Sequence, residues 1–112
     1  DLDEHTIVMS RFNENGLWLY DKRDASMSLL TTELDKSDFG AYYVSDGDIY
    51  FVKRTQKADQ IVKLSQGRSS VVQTFDAHSI RKFYGLAKGE GNTAIVTFKL
   101  ANQADIYQYR VH

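Results

Sequence analysis

The side chains able to do chemistry are few and scattered. His5, His78 and His112 stand far apart in the 112-residue chain. None makes the i, i+2 or i, i+4 pair by which one element offers two ligands to zinc. The chain has no cysteine, which excludes disulfides and thiolate metal sites. Ser79 and Asp76 flank His78, but no Gly-x-Ser-x-Gly elbow presents a nucleophile, and such a trio can be drawn from almost any sequence. Lys88-Gly89-Glu90-Gly91-Asn92 carries two glycines. A phosphate loop would run from strand into helix and end in Lys-Ser/Thr or a third glycine. Here strand-like runs lie on both sides and Glu90 would repel phosphate, so a hairpin turn is expected. Asp46-Gly47-Asp48, with Asp38 upstream, has the start of a calcium loop, but Tyr50 and Phe51 fall where ligands should alternate. This too reads as a turn. No catalytic, metal-binding or cofactor-binding residue is assigned, and no cofactor is expected. The aromatic group Tyr42, Tyr43, Tyr50 and Phe51, with Trp18 and Tyr20 before it, is expected to be core, because aromatics on pleated strands pack against the neighbouring layer. Lining a ligand or partner surface at a sheet end is the alternative.

The elements around these residues read as strands. Ten β-branched and aromatic runs are separated by Gly/Asn/Asp/Ser clusters: 6–12, 17–22, 27–32, 41–45, 48–55, 60–65, 70–75, 83–87, 94–100 and 105–111. Asn13-Glu14-Asn15-Gly16 separates the first pair, and Asp46-Gly47 is a strong two-residue hairpin signal, since a type I′ turn needs positive φ at both central positions. Stretches 29–36 and 77–82 could each hold one helical turn, but neither has the period of a packed helix.

The runs recur. Ile7–Arg11 aligns with Tyr50–Arg54 at 43 residues and then with Ile95–Lys99 at 45. Leu17–Tyr20 aligns with Ile61–Leu64 and Ile106–Tyr109, and Gly47 with Gly91. A period of 40–45 residues carrying four strands is one β-propeller blade. The expected fold class is therefore all-β, with antiparallel four-stranded propeller-type blades, about two and a half of them, over 6–32, 41–75 and 83–111 within one unit, 1–112. An unrelated sandwich or barrel is the competing architecture. Partial blades expose apolar faces and strand edges. The expected partners are thus the remaining blades of a parent protein, or a second copy through open blade faces, with a protein or small-molecule signal besides.

Fourteen basic and fifteen acidic residues are interleaved. No Lys/Arg block marks a nucleic-acid footprint, so no direct nucleic-acid contact is expected. No apolar run approaches the ~18 residues of a membrane-spanning helix, and no membrane insertion is expected. The chain opens on Asp1-Leu2-Asp3 without an initiator Met and is expected to be a fragment whose targeting information lies elsewhere.

Gly16-Leu17-Trp18-Leu19-Tyr20-Asp21, Leu29-Leu30-Thr31, Asp38-Phe39-Gly40, Asp46-Gly47-Asp48-Ile49-Tyr50-Phe51 and Ala104-Asp105-Ile106 together resemble the C-terminal, TolB-like propeller region of bacterial CadC-type winged-helix transcriptional regulators. The sequence departs from that pattern at Leu19, where a basic residue is usual, and at Phe39, where Trp is usual. The resemblance implies a non-catalytic sensory or protein-interaction segment on the periplasmic side of a membrane-anchored regulator, with the DNA-binding domain outside this chain. The alternatives are a TolB-like periplasmic scaffold, or the propeller of a hydrolase whose catalytic domain lies elsewhere.

Overall fold

The computed structural model describes residues 2–38, 40–88, 94–100 and 106–111, with 81–88, 94–100 and 106–111 described by their backbone alone. The chain is all-β, as expected, and its described residues form three antiparallel sheets. The first is β1 (Thr6–Met9), β2 (Leu17–Asp21) and β3 (Ser26–Thr31). The second is β4 (Tyr42–Ser45), β5 (Asp48–Arg54), β6 (Ala58–Ser65) and β7 (Arg68–Asp76). The third is β8 (Ile80–Lys88), β9 (Ala94–Leu100) and β10 (Ile106–Val111). Each sheet is a meander in which sequence neighbours pair. Among the described residues the strands close into no barrel and no ring.

Turn chemistry sets the meander. Asp46 (φ 52) and Gly47 (φ 82) both take the positive φ that a two-residue type I′ hairpin demands. Gln66 (φ 51) and Gly67 (φ 78) repeat the device between β6 and β7. So tight a turn draws the polar residues Arg68 and Ser69 into the ladder, opposite Ser65 and Leu64. β7 therefore starts two residues before the apolar pattern alone suggests. Among the described residues the one helical turn is a 3-10 segment, Lys36–Asp38, between the first and second sheets.

The core lies between these two sheets. Side chains alternate across a strand, so Ile49 and Phe51 of β5 share a face with Val62 and Leu64 of β6. That face packs on Val8 and Leu17 of the first sheet and on Leu34 of the connection. Burying each such side chain contributes about 1.5–3 kcal/mol. The opposite face of the second sheet carries Tyr50, Val52 and Ile61, also buried, and β8 runs beside β4 and β5. The second sheet is thus covered on both faces, which explains the unbroken apolar run Ile49–Val52 in β5 and the adjacent pair Ile61-Val62 in β6, where a half-exposed strand would alternate.

Strand pairing corrects the repeat. A β-bulge lies between Leu17 and Trp18 in the first sheet and between Ile61 and Val62 in the second. Superimposing the bulges sets Leu17 on Ile61 and Leu19 on Lys63. Val8 pairs with Leu19, and Tyr50 with Lys63, so Val8 corresponds to Tyr50. The sequence alignment sets Val8 on Phe51 instead. That one-residue slip would turn every side chain of the strand to the wrong face.

Candidate functional site

The residues that invited chemical readings are dispersed by the fold. His5 is half-exposed and pairs with Glu4 at 3.1 Å. His78 takes φ 61 in the β7–β8 connection. There the Ser79 hydroxyl donates to the Asp76 carbonyl, so Ser79 closes a turn and does not face an imidazole. His112 and residues 89–93 of the glycine-containing turn lie outside the described residues, as do Phe39, Ala104 and Asp105 of the family-like motifs. Asp48 pairs with Lys63 at 3.5 Å, and Asp38 is held by Arg54. Among the described residues, no three His, Asp or Glu side chains gather as a metal site. The aromatics divide. Phe51 and Tyr50 are buried on opposite faces of the second sheet, whereas Trp18 and Tyr20 sit on the far face of the first, half-buried.

One polar cluster that the sequence did not signal is built from three separate segments. The Arg54 guanidinium at the end of β5 grips Asp38 in a two-pronged pair, Nε to Oδ2 at 2.9 Å and Nη2 to Oδ1 at 3.0 Å. Its Nη1 donates to Asp59 Oδ2 at 2.9 Å and to the Ile80 carbonyl. Asp59 Oδ2 also accepts the Ile80 N–H at 3.0 Å. The hydrogen bonds to Asp38 are the largest of the effects that hold the Arg54 pKa above its ordinary value. The cluster ties the incoming connection, the second sheet and the start of β8 together. Its chemistry is that of a clamp: a fork-shaped cation held by two carboxylates and a carbonyl, with Asp59 Oδ1 buried and without a hydrogen-bond partner among the described residues. A simpler version recurs 44 residues earlier, where Asn15 Oδ1 accepts the Lys36 N–H at 2.8 Å. Asn15 stands two residues before β2 and Asp59 at the start of β6, and each pins the chain as it leaves for the next sheet.

Two apolar surfaces remain as candidates for recognition. The first is a groove of about 310 Å³ between the first and second sheets, walled by Leu2, Leu19, Leu30, Ile49 and Leu64. It opens at the end of the sheet where the Asp46-Gly47 and Gln66-Gly67 turns lie. Its polar contribution comes from Asp3 and Gln66. Asp3 Oδ1 accepts the N–H groups of His5 (2.8 Å) and Thr6 (2.9 Å). The hydrogen bond from His5 leads the effects that lower its carboxyl pKa.

The second is the outer face of the first sheet. Ile7 pairs with Tyr20 and Met9 with Trp18, and these stand in line with Met27 and Leu29 of β3. All six point away from the core face of Val8 and Leu17. The Arg11 guanidinium lies 5.1 Å from the Trp18 ring centroid, a cation–π contact, and also pairs with Glu14 at 3.3 Å. The neighbouring edge of β1 is better protected than the face. The Thr6 N–H goes to Asp3, the Thr6 carbonyl accepts from the Leu2 N–H, and the Val8 carbonyl accepts from the Tyr42 hydroxyl at 3.0 Å.

No family model matches the chain, and neither a curated protein nor a solved structure matches it.

Proposed function

We propose that this chain is a non-catalytic protein-interaction segment of a β-propeller, in which the three sheets are blades and the outer face of the first sheet is the recognition surface. The observation that carries the reading is the correspondence of faces. By the pairing register, Ile7, Met9, Trp18 and Tyr20 are the counterparts of Ile49, Phe51, Val62 and Leu64. The latter four are fully buried beneath the first sheet, while the former four remain partly exposed. A face patterned like a covered one, yet left part-exposed by the described residues, is a surface suited to receive another sheet. Stacking of each sheet on the next, with only neighbours in contact, is how propeller blades and other repeats bury their faces.

The resemblance to the propeller region of CadC-type regulators extends the proposal. In that setting the segment serves on the periplasmic side as the sensory part of a transcriptional regulator, and its occupant shifts the regulator between two states by binding one of them more tightly. Two measurements test the reading. NMR contacts between side-chain protons of β4 and protons of β8 are expected if the sheets stack as blades, since stacked sheets lie about 10 Å apart; their absence removes the architecture. In the encoding gene, Met9→Lys is expected to abolish the response of the target promoter at unchanged protein level. A response that persists rules out this face as the sensory surface.

A further inference from the structure

Asn15 and Gly16 are fixed by different neighbours. Gly16 takes φ 112 and lies against the Thr31 carbonyl, where a Cβ does not fit, so the entry to β2 requires glycine. Asn15 supplies the side-chain oxygen that accepts the Lys36 N–H at 2.8 Å. Joined in sequence, the two form a chemically labile linkage, a side-chain amide followed by a residue with no side chain to hinder attack by its own nitrogen. The other asparagines precede Glu14, Thr93 and Gln103, whose side chains do hinder it. In the fold both reacting groups of Asn15-Gly16 are held. The buried Gly16 N–H donates to the Leu34 carbonyl at 2.6 Å. Asn15 is exposed, but its amide is tied through Oδ1 to Lys36. Both restraints thus come from one segment, the connection at Leu34–Lys36, which Leu34 anchors in the core at 1% exposure. When that segment lifts, both are lost together.

We propose that Asn15 is a latent modification site, closed while the Leu34–Lys36 connection is docked and deamidated through a cyclic imide when the connection opens. In the open state the Gly16 backbone nitrogen gives its proton to solvent and attacks Asn15 Cγ. The new N–Cγ bond forms, the Cγ–Nδ2 bond breaks, and the side-chain nitrogen takes up a proton and leaves as ammonia. Water then opens the ring at one of its two carbonyls. Attack at Cγ releases the Gly16 nitrogen from the side chain and leaves aspartate. Attack at the main-chain carbonyl leaves the chain running through Cγ, as isoaspartate. Water is the only co-reactant. Aspartate keeps an acceptor for the Lys36 N–H. Isoaspartate lengthens the main chain by one methylene, so the Gly16 N–H cannot return to the Leu34 carbonyl while Leu17 keeps its register with Thr31. A transient opening between the first and second sheets is thereby recorded in a covalent bond.

The test is peptide-mass mapping of the intact 112-residue chain, incubated at mildly alkaline pH in buffer, across sub-denaturing urea and fully unfolded. The readout is the amide-to-acid mass change at Asn15. Asp46-Gly47 can close the same ring, but it loses water and regains it, so its mass does not change. The folded chain is expected to be modified at least about tenfold more slowly than the unfolded one, because the open fraction sets the rate. Across the urea series the Asn15 rate should rise in step with hydrogen exchange of the Gly16 N–H, since both need the same opening. Equal rates in the folded and unfolded chains, an unfolded chain that is not modified, or a rate that rises without Gly16 exchange overturns the proposal. Lys36→Pro removes the donor that holds Asn15. It stands at the first position of the 3-10 turn, where proline is tolerated. With strand content unchanged by circular dichroism, this variant is expected to be modified severalfold faster when folded and at the wild-type rate when unfolded. An unchanged folded rate would place the protection elsewhere and overturn the proposal. If the variant does not fold, the wild-type urea series decides alone.

Discussion

Arg54 joins three segments of the chain through its side chain. It binds Asp38 through both carboxylate oxygens and Asp59 through Oδ2 while holding the Ile80 carbonyl, and Asp59 is 1% exposed. Removing the cation would leave a buried carboxylate with only the Ile80 N–H for company. Arg54→Met is therefore expected to cost about 3 kcal/mol, the low end for breaking a buried pair, because Arg54 itself keeps some contact with solvent. The check is the urea midpoint. Arg54→Lys should fall between, since an ammonium cannot reproduce the two-pronged geometry. Asp21 offers a pH test on the surface. Hydrogen bonds from the Arg23 side chain, then from its backbone N–H, hold the Asp21 pKa at about 2, below the usual 3.8. A carboxyl depressed in the folded state stabilises above its unfolded pKa, and that contribution is lost as pH falls through the folded value. The Asp21 resonance is expected to titrate near pH 2 by NMR, and Arg23→Ala should return it toward 3.8. A midpoint unmoved by Arg23→Ala would assign the shift elsewhere.

At the scale of elements, backbone sign decides more than side-chain polarity. Gly16 sits at φ 112, and a Cβ there would stand 2.5 Å from the Thr31 carbonyl oxygen. Gly16→Ala must therefore strain the β2 entry and shift the end of β3, at a cost of more than about 1 kcal/mol. The β6–β7 turn gives the opposite opportunity. Gln66 occupies a left-handed position with φ 51, where Asn is far better tolerated than Gln. Gln66→Asn is expected to raise the melting temperature, by about 0.5 kcal/mol of stability. A lower melting temperature would mean that the Gln66 side chain contributes at the mouth of the apolar groove it helps to line.

At the scale of the molecule, the second sheet is the stable centre and the first is its cover. Both faces of β5 and β6 are buried, whereas β3 is exposed along most of its length. Hydrogen exchange should follow this gradient, with the slowest amides in β5 and β6 and the fastest strand amides in β3. Uniform protection across the two sheets would show that they open as one unit. The same gradient explains why recognition is assigned to the first sheet. Its outer face, with Trp18, Tyr20, Met9 and Ile7, is left part-exposed by the described residues.

Much of this architecture follows from local order. Alternating β-branched and aromatic runs bounded by Asn, Asp and Gly specify ten strands, and Asp46-Gly47 specifies its turn, because strand and turn preferences act between residues that are close in sequence. The near-constant spacing of the runs likewise carries the repeat. What local order could not supply is the relation between faces. The apolar pairs Ile7-Val8 and Tyr50-Phe51 look alike in either register, and only cross-strand pairing sets Val8 on Tyr50 and shows which member of each pair is covered. Nor did any spacing announce Arg54, Asp38, Asp59 and Ile80 as one cluster. Their union depends on the connection after β3 and the start of β8 arriving at the same end of β5. Residue type fixes what a side chain can bind, but burial and partnership are set by segments far apart in the chain, and those meet only when the sheets stack.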